Sequence, residues 1–133
     1  MSDINVTATS TKKNYITKIK AEEHQFNVDE PLDKGGQNTA AKPSDLLGAS
    51  LASCTSITLQ MYMNHKELNY KKVEVDVNFD MITTEPVKFL RHVIIEGEFE
   101  EKMQTRLLKV ANSCPIHKIL ERGNEIETTI EFI

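Results

Sequence analysis

The stretch PSDLLGASLASCTSITLQMYMNHK, residues 43–66, decides the fold. Nothing inside it breaks a helix, Pro43 suits the first turn, Ser44 and Asp45 bring side-chain acceptors to the free N–H groups there, and Lys66 lies at the far end. The spacing predicts one helix of about 24 residues, roughly 36 Å long. Leu47, Leu51, Cys54, Thr58 and Met61 recur three and four apart, which places the Cys54 thiol on the buried stripe. Gly48 to Ser56 is almost all small residues, so a second element, most naturally another helix, should approach closely there.

Working outward, Ile4, Val6 and Ala8, then Tyr15, Thr17 and Ile19, then His24 to Val28 alternate with a period of two and read as three short strands. Asp29 to Lys42 carries Pro31, Gly35, Gly36 and Asn38 and reads as loop. Beyond the helix, Val73, Val75, Val77, Phe79 and Met81 alternate against Glu74, Asp76, Asn78 and Asp80. A turn near Thr84-Glu85-Pro86 should return the chain along a second strand, about Phe89 to Glu96, as an antiparallel hairpin closed by Gly97. Met103, Leu107, Val110 and Ala111 then repeat at helical spacing, with Cys114 on the same face. Pro115 ends that helix and starts another, which Gly123 stops, and Ile126, Thr128, Ile130 and Phe132 form a last strand. The pattern is α+β, in one domain spanning residues 1–133.

Composition narrows the function. The 16 basic and 20 acidic residues give a net charge of −4, without the basic footprint that nucleic acid or an anionic membrane surface requires. There is no long apolar run and no secretion-signal layout at Met1-Ser2-Asp3-Ile4, so the expected location is the cytoplasm. Five Phe, three Tyr and no Trp make a thin core that a homodimer would complete.

Two cysteines in a reducing compartment point away from a structural disulfide. If Cys54 and Cys114 meet, they are the minimum set for redox chemistry: one is oxidised to a sulfenic acid and the other condenses with it to a disulfide. The alternative is that both are small buried hydrophobes. Cys114, just before Pro115, should cap the last helix, where N–H groups and the dipole favour a thiolate, so local chemistry makes it the more acidic of the two. A metal at Cys114 and His117 lacks the paired-ligand spacing of a zinc site. Arg91 and Arg106 are possible cations for a thiolate, although an arginine on a strand or helix is usually solvated.

Asp29-Glu30-Pro31, Gly35-Gly36, Pro43-Ser44-Asp45-Leu46-Leu47, Ala52-Ser53-Cys54-Thr55-Ser56-Ile57-Thr58-Leu59, Met61-Tyr62 and Arg106-Leu107-Leu108 leading to Cys114-Pro115-Ile116-His117 resemble the OsmC/Ohr family, most closely its less characterised OsmC-like branch. The resemblance implies an intertwined homodimer with antiparallel sheets wrapped around long central helices and active sites at the subunit boundary. It also implies a peroxidase of organic hydroperoxides, in which Cys54 attacks the peroxide and Cys114 resolves the sulfenic acid. An external dithiol, possibly lipoyl-type, is the implied reductant, with no bound cofactor or metal. Peroxidase members carry an acid just after the helix-opening proline and an arginine from the N-terminal region. Here Ser44 follows Pro43, the nearest acid is Asp45, and the only arginines are Arg91, Arg106 and Arg122. The activating cation is therefore one of these, a Lys such as Lys34, or His24, or it is missing; Asp45, Arg91 and His117 form the supporting set. Leu, Met and Ile around Cys54 should line an apolar pocket suited to alkyl or fatty-acid hydroperoxides. A second reading keeps the fold without catalysis, as a module binding a small apolar or thiol-reactive ligand at the dimer interface.

Light scattering at micromolar concentration should give about twice the 15.1 kDa chain mass; a monomer would overturn the shared-core expectation.

Overall fold

The structure, a computed structural model, describes residues 3–82 and 85–133. Thr84 of the expected turn lies outside the described residues. The chain forms two compact units, residues 1–47 and 48–133.

The first unit is an antiparallel meander of β1 (Val6–Ser10), β2 (Thr17–Ala21) and β3 (His24–Val28), in that order, with Ala8 opposite Ile19 and Ile19 opposite Phe26. The loop that follows is organised around one carboxylate. Asp29 is 1% exposed. It accepts hydrogen bonds from the N–H groups of Glu30 (2.7 Å), Gln37 (3.3 Å) and Thr39 (3.0 Å) and from the Thr39 hydroxyl (2.8 Å). A buried carboxylate that collects this many donors holds both ends of its loop. Gly36 passes so close to the Glu30 carbonyl that a Cβ there would overlap it. Gly35, at φ +91°, ends a 3₁₀ turn over Leu32–Lys34 in a conformation that suits glycine.

Helix α1 runs Pro43–His65, one residue short of the expected span. At its start the Lys42 carbonyl accepts from the N–H groups of Asp45 and Leu46. The Asp45 carboxylate meets the Lys42 ammonium at 2.9 Å instead of turning back on the helix N–H groups.

In the second unit β4 (Lys72–Asn78) and β5 (Leu90–Glu96) form the antiparallel hairpin, with Val75 opposite Val93 and Val77 opposite Arg91. Phe89 precedes β5 and stacks obliquely on Phe79 at 4.6 Å between ring centroids. Helices α2 (Glu101–Ala111) and α3 (Pro115–Glu121) follow. Leu59 and Met63 of α1 pack with Leu107 and Ala111 of α2 against the inward valines of β4 and β5, so the sheet covers the helices on one face.

Four expectations are corrected. The buried residues of α1 are Gly48, Leu51, Thr55, Leu59 and Met63, whereas Leu47 and Met61 are exposed and Cys54 is half-buried. The two stripes share Leu51 and diverge by one or two positions elsewhere, because apolar residues occur all round this helix and its period does not single out a face. At the first small residue, what approaches is sheet rather than helix: a methyl on Gly48 would sit 3.3 Å from the Phe79 ring. Finally, residues 124–133 form no strand and are exposed, with Ile126 at 90% and Phe132 at 87%. An alternating segment becomes a strand only where a neighbouring strand takes its N–H and C=O groups. Gly123 also does not cap α3 in a left-handed conformation; Arg122 leaves the helix extended.

The Thr39 N–H holds the Asp29 carboxyl below its ordinary range; desolvation opposes this, and the Thr39 hydroxyl and the Glu30 and Gln37 N–H groups add to it. A depressed folded-state pKa means that this stabilisation is present above the unfolded value of about 3.9 and is lost as pH falls through the folded pKa. Asp29→Asn should therefore melt below wild type at pH 7, with the gap closing as melts are repeated at progressively acid pH. A constant gap would show that the carboxylate's charge is not what matters.

Candidate functional site

The period of two along β5 puts Arg91 on the same face as Val93 and Ile95, turned towards the helices, while Leu90, His92 and Ile94 face outward. A guanidinium on that face must find acceptors. Arg91 donates from Nη1 to Thr55 Oγ1 (3.0 Å), in the middle of α1. From Nη2 it donates to Asn112 Oδ1 (2.7 Å), at the end of α2, and to His117 Nδ1 (2.9 Å), in α3. Arginine is always a donor, so His117 Nδ1 accepts and the neutral ring carries its proton on Nε2. That Nε2 faces Glu121 Oε2 at 3.3 Å, one helical turn on.

Both cysteines are free thiols. Cys114 is fully buried and caps α3, its Sγ accepting from the His117 N–H at 3.4 Å. Cys54 and Cys114 lie close enough for each to shift the ionisation of the other, and the Ile116 N–H acts on both sulfurs. Their environments differ in sign. Burial pushes the Cys54 thiol up, and so does its hydrogen bond to Cys114, against smaller opposing help from Ile116 and the Thr58 hydroxyl. Burial also works against a Cys114 thiolate, yet donation from Cys54, the His117 N–H, the Thr55 hydroxyl and the Ile116 N–H brings its pKa below that of an ordinary thiol. The helix-cap argument from sequence thus describes this chain.

Beside Arg91 and His117 opens a cavity of about 440 Å³, which neither cysteine lines. Leu51, Val87, Phe89 and Leu120 make its apolar wall, and Arg91, His117 and Glu121 its polar side. Of the α1 residues expected to form an apolar lining only Leu51 takes part; Ile57 and Met61 are exposed.

Cys54, Cys114, Arg91 and His117 therefore come together. Asp45 belongs to the first unit, where the Lys42 ammonium, first by hydrogen bond and then by charge, lowers its pKa. Arg106 and Arg122 are exposed. Among the described residues, no three or more His, Cys, Asp or Glu are grouped to hold a metal, and the His117 ring is directed to Arg91 and Glu121 rather than to Cys114 Sγ. No helix among them is long and apolar enough to cross a membrane. The sequence reading passed over Thr55, Asn112 and Glu121 as site residues. Glu121 had a usable signal, four positions after His117 on one helix.

The family model described as OsmC-like protein matches residues 36–129. The chain belongs to the OsmC-like family. Solved structures of similar fold include the OsmC-like protein from Mycoplasma pneumoniae, at 18% identity over 90% of this chain and 88% of that one, TM-score 0.75. An organic hydroperoxide resistance protein from Elizabethkingia anophelis matches at 24% identity over 93% and 91%, TM-score 0.66. The organic hydroperoxide resistance protein OhrB of Bacillus subtilis matches at 20% over 92% and 93%, TM-score 0.59. No curated protein matches the chain in sequence. The α+β, OsmC-like fold expected from the sequence is the fold found.

Following thiolate absorbance with pH should assign the first ionisation of this OsmC-like chain to Cys114. It should disappear in Cys114→Ser and survive in Cys54→Ser, shifted upward because a donor to the sulfur has changed; the reverse pattern would overturn the assignment.

Proposed function

We propose that this OsmC-like chain is a thiol-dependent peroxidase that reduces organic hydroperoxides through Cys54 and Cys114. The observation that carries the reading is a pair of free thiols close enough to shift one another's ionisation, joined through His117 to a pocket with an apolar wall. Membership of a family whose structural relatives include proteins named for organic hydroperoxide resistance supports it.

The thiols divide the work by position. Cys54 is the more accessible, so it meets the peroxide, giving up its proton to solvent as it does so; Cys114 is the more acidic and stands ready as thiolate for the second step. The Cys54 thiolate attacks the distal oxygen of ROOH and breaks the O–O bond; the alkoxide takes up a proton and leaves as ROH, with the sulfur as sulfenic acid. Cys114, as thiolate, then attacks that sulfur, hydroxide leaves as water, and a disulfide forms. An external dithiol reduces the disulfide to restore both thiols. Arg91 steadies this arrangement through Thr55, whose hydroxyl touches Cys114. We propose also that the working unit is a homodimer: the alternating tail Ile126, Thr128, Ile130, Phe132 lies exposed and suits pairing with a second copy.

One equivalent of cumene hydroperoxide should take two free thiols per chain to none, reversibly with dithiothreitol. In Cys114→Ser the reaction should stop at a dimedone-trappable sulfenic acid on Cys54 and pass to sulfinic acid with excess oxidant. Unchanged turnover in Cys54→Ser would sink the peroxidase reading, and faster oxidation of Cys114 than of Cys54 would exchange their roles.

A further inference from the structure

Charge is unevenly spread along this chain. Residues 4–21 contain Lys12, Lys13, Lys18 and Lys20 and no acidic residue, whereas the other positions hold 12 basic and 20 acidic residues. A segment of +4 thus belongs to a chain that is −8 elsewhere. The meander decides where the positive charge goes. Lys18 and Lys20 alternate with Ile19 along β2, so both lie on the face opposite Ile19, Ala8 and Phe26. The register sets Thr9 and Asn27 beside Lys18, and Thr7 and Gln25 beside Lys20. All six residues are exposed, and the four neighbours are uncharged and able to hydrogen-bond. The turn between β1 and β2 adds Lys12 and Lys13, also exposed. Among the described residues none of these four lysines is in an ion pair, whereas Lys42, Lys71 and Lys72 each meet a carboxylate. Like charges two residues apart on one face repel, and a bound anion relieves that repulsion.

We propose that this face binds an extended acidic segment of another protein, with its carboxylates on Lys18 and Lys20. Alternate side chains of an extended chain repeat about 7 Å apart, which is the spacing of two lysines at i and i+2 on a strand. The threonines of β1 and the amides of β3 flank the lysines with groups that can hydrogen-bond the segment's polar side chains. The occupant is short. Three strands of five residues make a face of about 17 Å by 10 Å. A nucleic acid or a membrane plane carries negative charge well beyond that area and is repelled by the −8 of the other positions.

The test is an anisotropy titration of the full chain with a rhodamine-labelled peptide of about ten alternating Glu and Thr residues, extended in the manner of a strand. At about 20 mM salt it should bind about tenfold or more tightly than its Gln and Thr counterpart, and the preference should shrink as salt is raised. Lys18→Gln combined with Lys20→Gln should remove the preference, and Lys18→Arg with Lys20→Arg should keep it. Lys71→Gln with Lys72→Gln, at the start of β4, should leave it unchanged. The comparison of the two peptides on wild type stands whatever the variants do. Equal binding of the two peptides would overturn the proposal, as would a loss in the Lys71 and Lys72 variant as large as in the Lys18 and Lys20 variant. Tighter binding of a single-stranded oligodeoxynucleotide, or of vesicles of equal phosphatidylglycerol and phosphatidylcholine, than of the acidic peptide would also overturn it, assigning the face to a different partner.

Discussion

The second unit depends on the placement of one charge. Alternation along β5 leaves Arg91 no choice of face: with Val93 and Ile95 drawn into the core, its side chain goes inward too. Taking a guanidinium there without acceptors would cost several kcal/mol, so the surrounding elements must converge on it. They do so from three directions, α1 through Thr55, the end of α2 through Asn112, and α3 through His117. Each is a hydrogen bond from a charged donor, of about 1.5–3 kcal/mol where both groups are out of water. The result is a joint that orients α3, whose first turn carries the cap at Cys114.

The acidity of Cys114 follows from that joint. With α3 held, the His117 and Ile116 N–H groups point at its sulfur while Cys54 and Thr55 approach from α1. Thr55 donates its hydroxyl proton to the Leu51 carbonyl at 2.7 Å. Arg91, donating to the same oxygen, makes that hydroxyl a stronger donor and fixes its place against the sulfur. Cys54, with fewer donors to offset its burial, has its pKa pushed up.

How far the sequence could be read depended on whether a local rule had competition. Strong alternation defined β4 and β5, and proline positions defined where α1 and α3 begin, because neither signal had a rival. The face of α1 was ambiguous for the opposite reason. Gly48 and Thr55, neither of which registers as hydrophobic, occupy buried positions because the Phe79 ring needs the room at Gly48 and Arg91 needs the hydroxyl of Thr55. A stripe drawn through leucines and methionines therefore missed them. Asn112 could not be seen as a site residue, since its role depends on where α2 ends relative to β5. The tail from Ile126 carried a correct alternation, but a strand is a property of two segments, and one chain's periodicity says nothing about the other.

Two buried cysteines acting only as small hydrophobes would share one fate, since burial disfavours the charged form of each and raises both pKa values. That is not what surrounds this pair. One thiol is raised and its neighbour lowered, and the lowering comes from four donors drawn from α1 and α3, two of them backbone N–H groups at a helix start that no packing requirement demands of a cysteine. A serine could cap α3 as well or better, and an alanine would fill the space at Cys54. What neither could supply is a second thiol close enough to shift the ionisation of the first. The low pKa of Cys114 is what burial alone would not produce, and the helix start at Pro115 is its source.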